Sequence, residues 1–267
     1  LGAIPLLGSL GIALGYAVIV GWVVRYCWGA VSGSLFAVGS EEYFGQITGP
    51  FGSLLWHGVV VLVTVLVLAR GVLQGIEKVN RIIMPAFFVL FLVVAVYVGF
   101  LPGAAEGYRY LLIPQWEKLL DPMTWVMAMG QAFFSLSITG SGMIIYGSYL
   151  SKKEDIPRAA MQTALLDTCA ALLAGFAILP AVFAFGMDPA SGPPLIFITL
   201  PKVFAQMPGG RFIAVLFFLS VIFAGITSLI NMFEVCAEAV TTHLKLPRKA
   251  AVVLVGALAF AAGAFIE

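Results

Sequence analysis

Seven apolar stretches, each long enough to cross the ~30 Å hydrocarbon core of a bilayer, constrain this sequence more than any other feature. They lie near residues 3–28, 52–69, 82–101, 123–149, 159–185, 212–241 and 249–266. In hydrocarbon an unpaired peptide group costs several kcal/mol, so such stretches must be helical. The expected fold class is therefore all-α, a polytopic transmembrane helical protein, with residues 1–267 as a single transmembrane domain. Composition agrees: 61% of residues are hydrophobic and 10% are charged, against about 25% charged in an ordinary soluble domain. A net charge of +1 offers no basic field to nucleic acid, so the bilayer is the expected partner and nucleic acid is not. Cys27, Cys169 and Cys236 sit inside apolar stretches at no metal-ligand or redox spacing, and an odd count cannot complete a disulfide framework. The chain starts at Leu1 without a charged leader, and it is expected to be a piece of a longer protein.

The loops alternate in charge. Arg70, Lys78 and Arg81 follow the second stretch, Lys152, Lys153 and Arg158 the fourth, and Lys245, Arg248 and Lys249 the sixth. The intervening loops are longer and poorer in cations. By the positive-inside rule the basic loops are cytoplasmic and the first span runs outward. The loop 186–211 carries Pro189, Pro193, Pro194, Pro201 and Pro208 around an apolar patch from Leu195 to Val203, which favours a packed lid over a solvated connection.

Two spans carry polar interruptions. The fourth holds Ser135, Ser137, Thr139, Gly140, Ser141 and Gly142 at mid-membrane, a candidate unwound segment. The sixth holds Ala224-Gly225-Ile226-Thr227-Ser228, whose hydroxyls could join freed carbonyls in an oxygen cage for a hard cation such as sodium. Taken singly, either segment is more often just small residues at a helix crossing. Three acids also fall within spans, where a charge costs at least about 2.5 kcal/mol on insertion scales. Asp167, followed by Thr168, lies at a depth suited to an ion site near the fourth-span interruption. Glu234 and Glu238, one turn apart, are expected to form a polar seam against a helix outside this chain. Arg25 is expected to snorkel. His57 and His243 have no ligand cluster around them. No nucleophile and base stand at a catalytic spacing and no phosphate loop follows a strand, so enzyme activity is not expected.

Six strings in order resemble the neurotransmitter:sodium symporter family, especially its bacterial amino-acid members. They are Gly75-Ile-Glu-Lys-Val-Asn-Arg-Ile-Ile-Met-Pro85, Gly130-Gln-Ala-Phe-Phe-Ser-Leu-Ser137, Tyr146-Gly-Ser-Tyr149, Ala164-Leu-Leu-Asp-Thr168, Ala224-Gly-Ile-Thr-Ser228 and Leu244-Lys-Leu-Pro-Arg-Lys249. The resemblance covers essentially the whole chain. It makes the spans helices three to nine of twelve in an inverted-repeat symporter core with discontinuous helices, here incomplete. It implies that Tyr16 contacts a substrate carboxylate and that Ile12, one turn earlier, and Met232 line the pocket. Phe134 would cover the substrate; Ser137, Thr139 and Gly140 would meet it at the break, with Ser228 beside them. Ser135 and Asp167 match ligands of a first sodium site. The carbonyl of Ala224 with the hydroxyls of Thr227 and Ser228 matches half of a second. Tyr149 matches an inner-gate tyrosine.

Two departures stand out: the family's glycine-aromatic-glycine reads Thr139-Gly140-Ser141-Gly142 without the aromatic, and Thr242 replaces a common acidic gate partner. The implied function is sodium-coupled symport of an amino acid by alternating access in the cell (inner) membrane, with Na+ as coupling ion and a homodimer left open. Missing aromatic bulk at the break and a pliable Met232 point to a bulky apolar or aromatic substrate. The alternative from another class is a seven-helix membrane receptor, suggested by the span count alone.

Overall fold

The structure is a computed structural model that describes residues 3–71, 76–138, 141–189, 192 and 194–266. Among these it is helical, with no strand. In chain order the helices are α1 (Ala3–Ser32), α2 (Ser34–Val38), α3 (Ser40–Thr48), α4 (Leu54–Ala69), α5 (Lys78–Gly99), α6 (Ala104–Leu112), α7 (Pro122–Ser135), α8 (Gly142–Tyr149), α9 (Ile156–Ala184), α10 (Leu200–Gln206), α11 (Gly210–Leu244) and α12 (Arg248–Ile266). Five of them, α1, α5, α9, α11 and α12, are long and apolar enough to cross a membrane. The expected second span is the shorter α4, and the expected fourth is split between α7 and α8. Asp121 caps α7 by accepting from Met123 N at 2.9 Å, with Pro122 in the first turn; Asp155 caps α9 by accepting from Arg158 N at 3.2 Å.

The long α11 is the axis of the molecule. It lies along α1 and also meets α4, α5 and α12. Gly225 is what lets α1 close on it: a Cβ there would lie 2.9 Å from a Val20 methyl. Of the two readings of Ala224–Ser228, an interruption or a crossing of small residues, the crossing holds. Helix α11 runs unbroken through Ala224–Ser228, because the Thr227 hydroxyl returns to the Ala224 carbonyl at 2.9 Å within the preceding turn. The five residues are a helix crossing with hydroxyls on it.

Of the loop expected to form a lid, the described residues 194–209 fold back onto the helices. Residues Leu195–Thr199 form one wide turn leading into α10, and Phe197, Leu200, Val203 and Phe204 are buried. The fully buried Tyr26 of α1 donates to the Phe197 carbonyl at 2.7 Å; Trp22 meets the Phe197 ring edge-on and Phe44 stacks on it, with ring centres 5.7 and 5.9 Å away. Outside this core Lys202 pairs with Glu41 and, chiefly through that hydrogen bond, holds its carboxyl below the usual carboxylate range. Arg211 donates to the Ala30 and Val31 carbonyls, satisfying the orphan end of α1. Arg25 does not snorkel. It donates to the carbonyls of Gln46 and Gly52 and stacks over Tyr43, tying α1 to the α3 connection.

At the opposite end, Glu234 corrects a second expectation. It is fully buried and finds its partner within this chain: Arg248 grips it through two bonds, 2.9 and 2.7 Å, while Tyr149 donates to it at 2.6 Å. Arg248 also donates to the Leu68 carbonyl at 3.3 Å, so one guanidinium joins α4, α11 and α12, and the carboxylate adds α8. Removing one member of a buried pair leaves the other charge desolvated, at a cost of about 3–5 kcal/mol, whereas an apolar replacement of both is often close to neutral. Arg248→Ala is therefore expected to lower the thermal midpoint of the purified protein in detergent sharply, and Glu234→Leu with Arg248→Met to recover most of it. A double variant no more stable than the single one would contradict this account.

Candidate functional site

The membrane-depth break between α7 and α8 is where the helical ladder stops. Leu136 and Ser137 still bond back to Ala132 and Phe134, and Ile138 reaches the Phe133 carbonyl at 3.0 Å; the next helix begins at Gly142. Ser137 (φ 55) and Ser141 (φ 67) flank it in the left-handed region, which glycine adopts at little cost and serine does not. Thr139 and Gly140, both expected at the substrate, lie outside the described residues.

Around this break the structure gathers most of the remaining candidates. A cavity of about 260 Å³ is lined by Tyr16 from α1, Phe134, Ser135 and Ser137 from the break, Asp167 from α9, and Ser228, Asn231 and Met232 from α11. The Tyr16 hydroxyl is hydrogen-bonded to Ser228 across α1 and α11. The Ser135 hydroxyl donates to Asp167 at 2.5 Å, joining α7 to α9. A carboxylate beside hydroxyls and the freed carbonyls of a helix break is the oxygen set that a hard cation takes. Ile12 borders a narrow extension of about 40 Å³ together with Phe134, Ser137, Asn231 and Met232.

Not every expected residue meets the cavity. Adjacent residues of a helix diverge in direction, so Ser228 faces the cavity, while Thr227 is buried against the Ala224 carbonyl. Ala224 and Thr227 thus form a group apart from Ser135 and Asp167, while Ser228 shares the cavity wall with the latter two. Tyr149 lies away from both, on Glu234. Three contributors were not singled out in the sequence. Arg248 is counted there as a loop cation and Tyr146 only as part of a string; the latter lines the Asp167 side of the break. Asn231 stands beside Met232, and its amide at mid-helix among apolar residues was the signal.

The chain matches the family profile described as "Sodium:neurotransmitter symporter family" over residues 43–266. It is 42% identical over 224 residues to the sodium-dependent transporter YhdH of Bacillus subtilis, covering 82% of this chain and 49% of that protein. It is 34% identical over 262 residues to a sodium-dependent transporter of Haemophilus influenzae, covering 95% and 57%. The crystal structure of MhsT in complex with L-phenylalanine superposes with a TM-score of 0.89 at 36% identity, over 98% of this chain and 60% of that one. The chain spans about half the length of the curated relatives it matches. That family consists of transporters rather than enzymes, and nothing supports the receptor alternative. On the unwound α7–α8 junction, the oxygen-lined cavity beside it and these matches, the chain belongs to the sodium:neurotransmitter symporter family.

Proposed function

We propose that this chain supplies half of the core of a sodium-coupled symporter for a bulky apolar or aromatic amino acid, working by alternating access in the cell membrane. The observation that carries the reading is the meeting of Ser135 and Asp167 at the α7–α8 break, on the wall of the cavity that also holds Tyr16 and Ser228. Asp167 and Ser135 are assigned to one sodium, with the Ala224 carbonyl, Thr227 and Ser228 as part of a second. Tyr16, Ile12, Phe134, Ser137, Thr139, Gly140, Ser228 and Met232 are assigned to the substrate, and Tyr149 to a gate closed on Glu234. The names of the relatives support sodium, and phenylalanine in MhsT supports an aromatic substrate. Sodium and substrate favour the same state, so each raises the affinity of the other by the same factor. The direct test is uptake of radiolabelled phenylalanine by the full-length protein in proteoliposomes, with and without a sodium gradient; gradient-independent uptake would overturn the coupling.

Two substitutions test the ion sites separately. Replacing both Thr227 and Ser228 by alanine removes two hydroxyl oxygens without changing packing volume much, and is expected to raise the sodium concentration for half-maximal uptake roughly tenfold or more, the equivalent of about 1.4 kcal/mol. Unaltered sodium activation at normal expression would remove these residues from the site.

Asp167 carries the other expectation. A carboxylate a few Å from sodium in a poorly solvated site attracts it far more strongly than in water, so it supplies the negative charge for which a chloride ion would otherwise be needed. Wild-type uptake is expected to be the same in chloride and in gluconate, and Asp167→Asn to transport at least about tenfold less at limiting sodium, with partial recovery in chloride. Loss of wild-type uptake in gluconate would end this assignment.

A further inference from the structure

The amide of Asn231 lines the cavity, and the reading above leaves it without work. Its Oδ1 is buried and has no hydrogen-bond partner among the described residues, although a buried acceptor left unpaired is costly and such groups are normally satisfied. The residue lines both the cavity and the narrow space beside it, and the oxygen lies 3.6 Å from where a Cβ on Gly142 would stand, an ordinary contact distance.

The position of that space along the helices says what enters it. Helices α1 and α11 run antiparallel: Val20 meets Gly225, Tyr16 meets Ser228, and Ser9 and Ile12 share the narrow extension with Asn231 and Val235. Asn231 is three residues beyond Ser228, about one helical turn. Resting on the proposed function, an amino acid whose charged end sits at Tyr16 and Ser228 sends its side chain along this groove, past Phe134 and Met232, and an aromatic side chain reaches about that far. The extension holds only about 40 Å³, room for a polar tip and not for a ring.

We infer that Asn231 selects the substrate, its amide oxygen accepting a hydrogen bond from an O–H or N–H at the far end of an apolar side chain, so that tyrosine and tryptophan are preferred over phenylalanine and leucine. The wall around the tip is apolar at Ile12, Phe134, Met232 and Val235, which reward an apolar body, with the Ser9 and Ser137 hydroxyls beside them; the amide oxygen is the acceptor there without a partner among the described residues. A substrate without a donor buries the oxygen unpaired; one with a donor satisfies it.

The test is competition against sodium-dependent uptake of radiolabelled phenylalanine in proteoliposomes of the full-length protein, using tyrosine and 4-fluorophenylalanine. The two side chains are close in size, and fluorine cannot donate. In the wild type tyrosine is expected to inhibit at about 3- to 10-fold lower concentration. In Asn231→Leu the ratio of the two inhibitory concentrations is expected to fall to about 1, read against the phenylalanine uptake that variant retains, with the sodium dependence of that uptake measured alongside. Equal inhibition by the two competitors in the wild type overturns the inference and leaves the symporter reading standing, and this measurement needs no variant. A variant in which sodium activation weakens alike for every substrate also overturns it, making the amide an ion ligand instead. Absence of any sodium-dependent phenylalanine uptake in the wild type overturns both.

Discussion

The rule that every backbone polar group must find a partner inside hydrocarbon organises this molecule. It forces the apolar stretches into helices and then makes any departure from helix conspicuous. Between Ser135 and Gly142 the ladder lapses, and the cavity, the Asp167 carboxylate and the Asn231 amide all collect there. The association has a physical cause, because freed carbonyls and N–H groups at membrane depth need partners that lipid does not provide. Protein side chains, ions and substrate are the partners on offer. A break is stable only beside polar groups, and polar groups at that depth are tolerated only beside a break.

The two acids inside the membrane illustrate two solutions to the same problem. Glu234 is neutralised permanently, by an arginine that grips both of its oxygens and a tyrosine that adds a third bond. Asp167 receives one hydroxyl, from Ser135, and lies on the cavity wall. The first arrangement leaves the carboxylate little capacity for another ligand. The second leaves most of its lone pairs free, and this difference, more than depth or charge, separates a structural acid from a candidate ion ligand.

Much of this was legible in the sequence. Span positions follow from hydrophobic length, the lid from an apolar run among prolines, and the break from consecutive serines and glycines where helix needs continuity. What escaped depends on tertiary proximity or on competition between equal local signals. Arg248 reaches Glu234 across the α11–α12 turn from a loop that reads as merely basic, whereas two acids one turn apart on a shared face read as a seam against a helix outside the chain. Ala224–Ser228 and Ser135–Gly142 present similar compositions, yet only the second breaks. Gly225 in the first is consumed by close approach to Val20, and the Thr227 hydroxyl by the Ala224 carbonyl. Asn231 escaped because attention to acids and hydroxyls passes over a neutral amide.

The same distribution of partners suggests where alternating access would bend this chain. Helices α1, α4, α11 and α12 meet one another through apolar side chains and glycine crossings. Such interlocked surfaces cannot slide without opening voids. Helix α7, by contrast, buries no residue against the described chain and α8 buries only Gly142. Beside the Tyr146 ring, which packs on the core of α1, α4, α11 and α12, polar bonds hold the pair: Ser135 to Asp167 on one side of the break, Tyr149 to Glu234 on the other. A hydrogen bond can be exchanged for one to water or an ion at little net cost, so these attachments can open and re-form where a packed crossing cannot. The left-handed serines at either end of the break place the backbone's weakest points between the two bonds. Sodium at Asp167 would then act on one attachment of α7 and α8 while the Tyr149 bond acts on the other, which is how an ion at mid-membrane could bias a gate more than a turn of helix away.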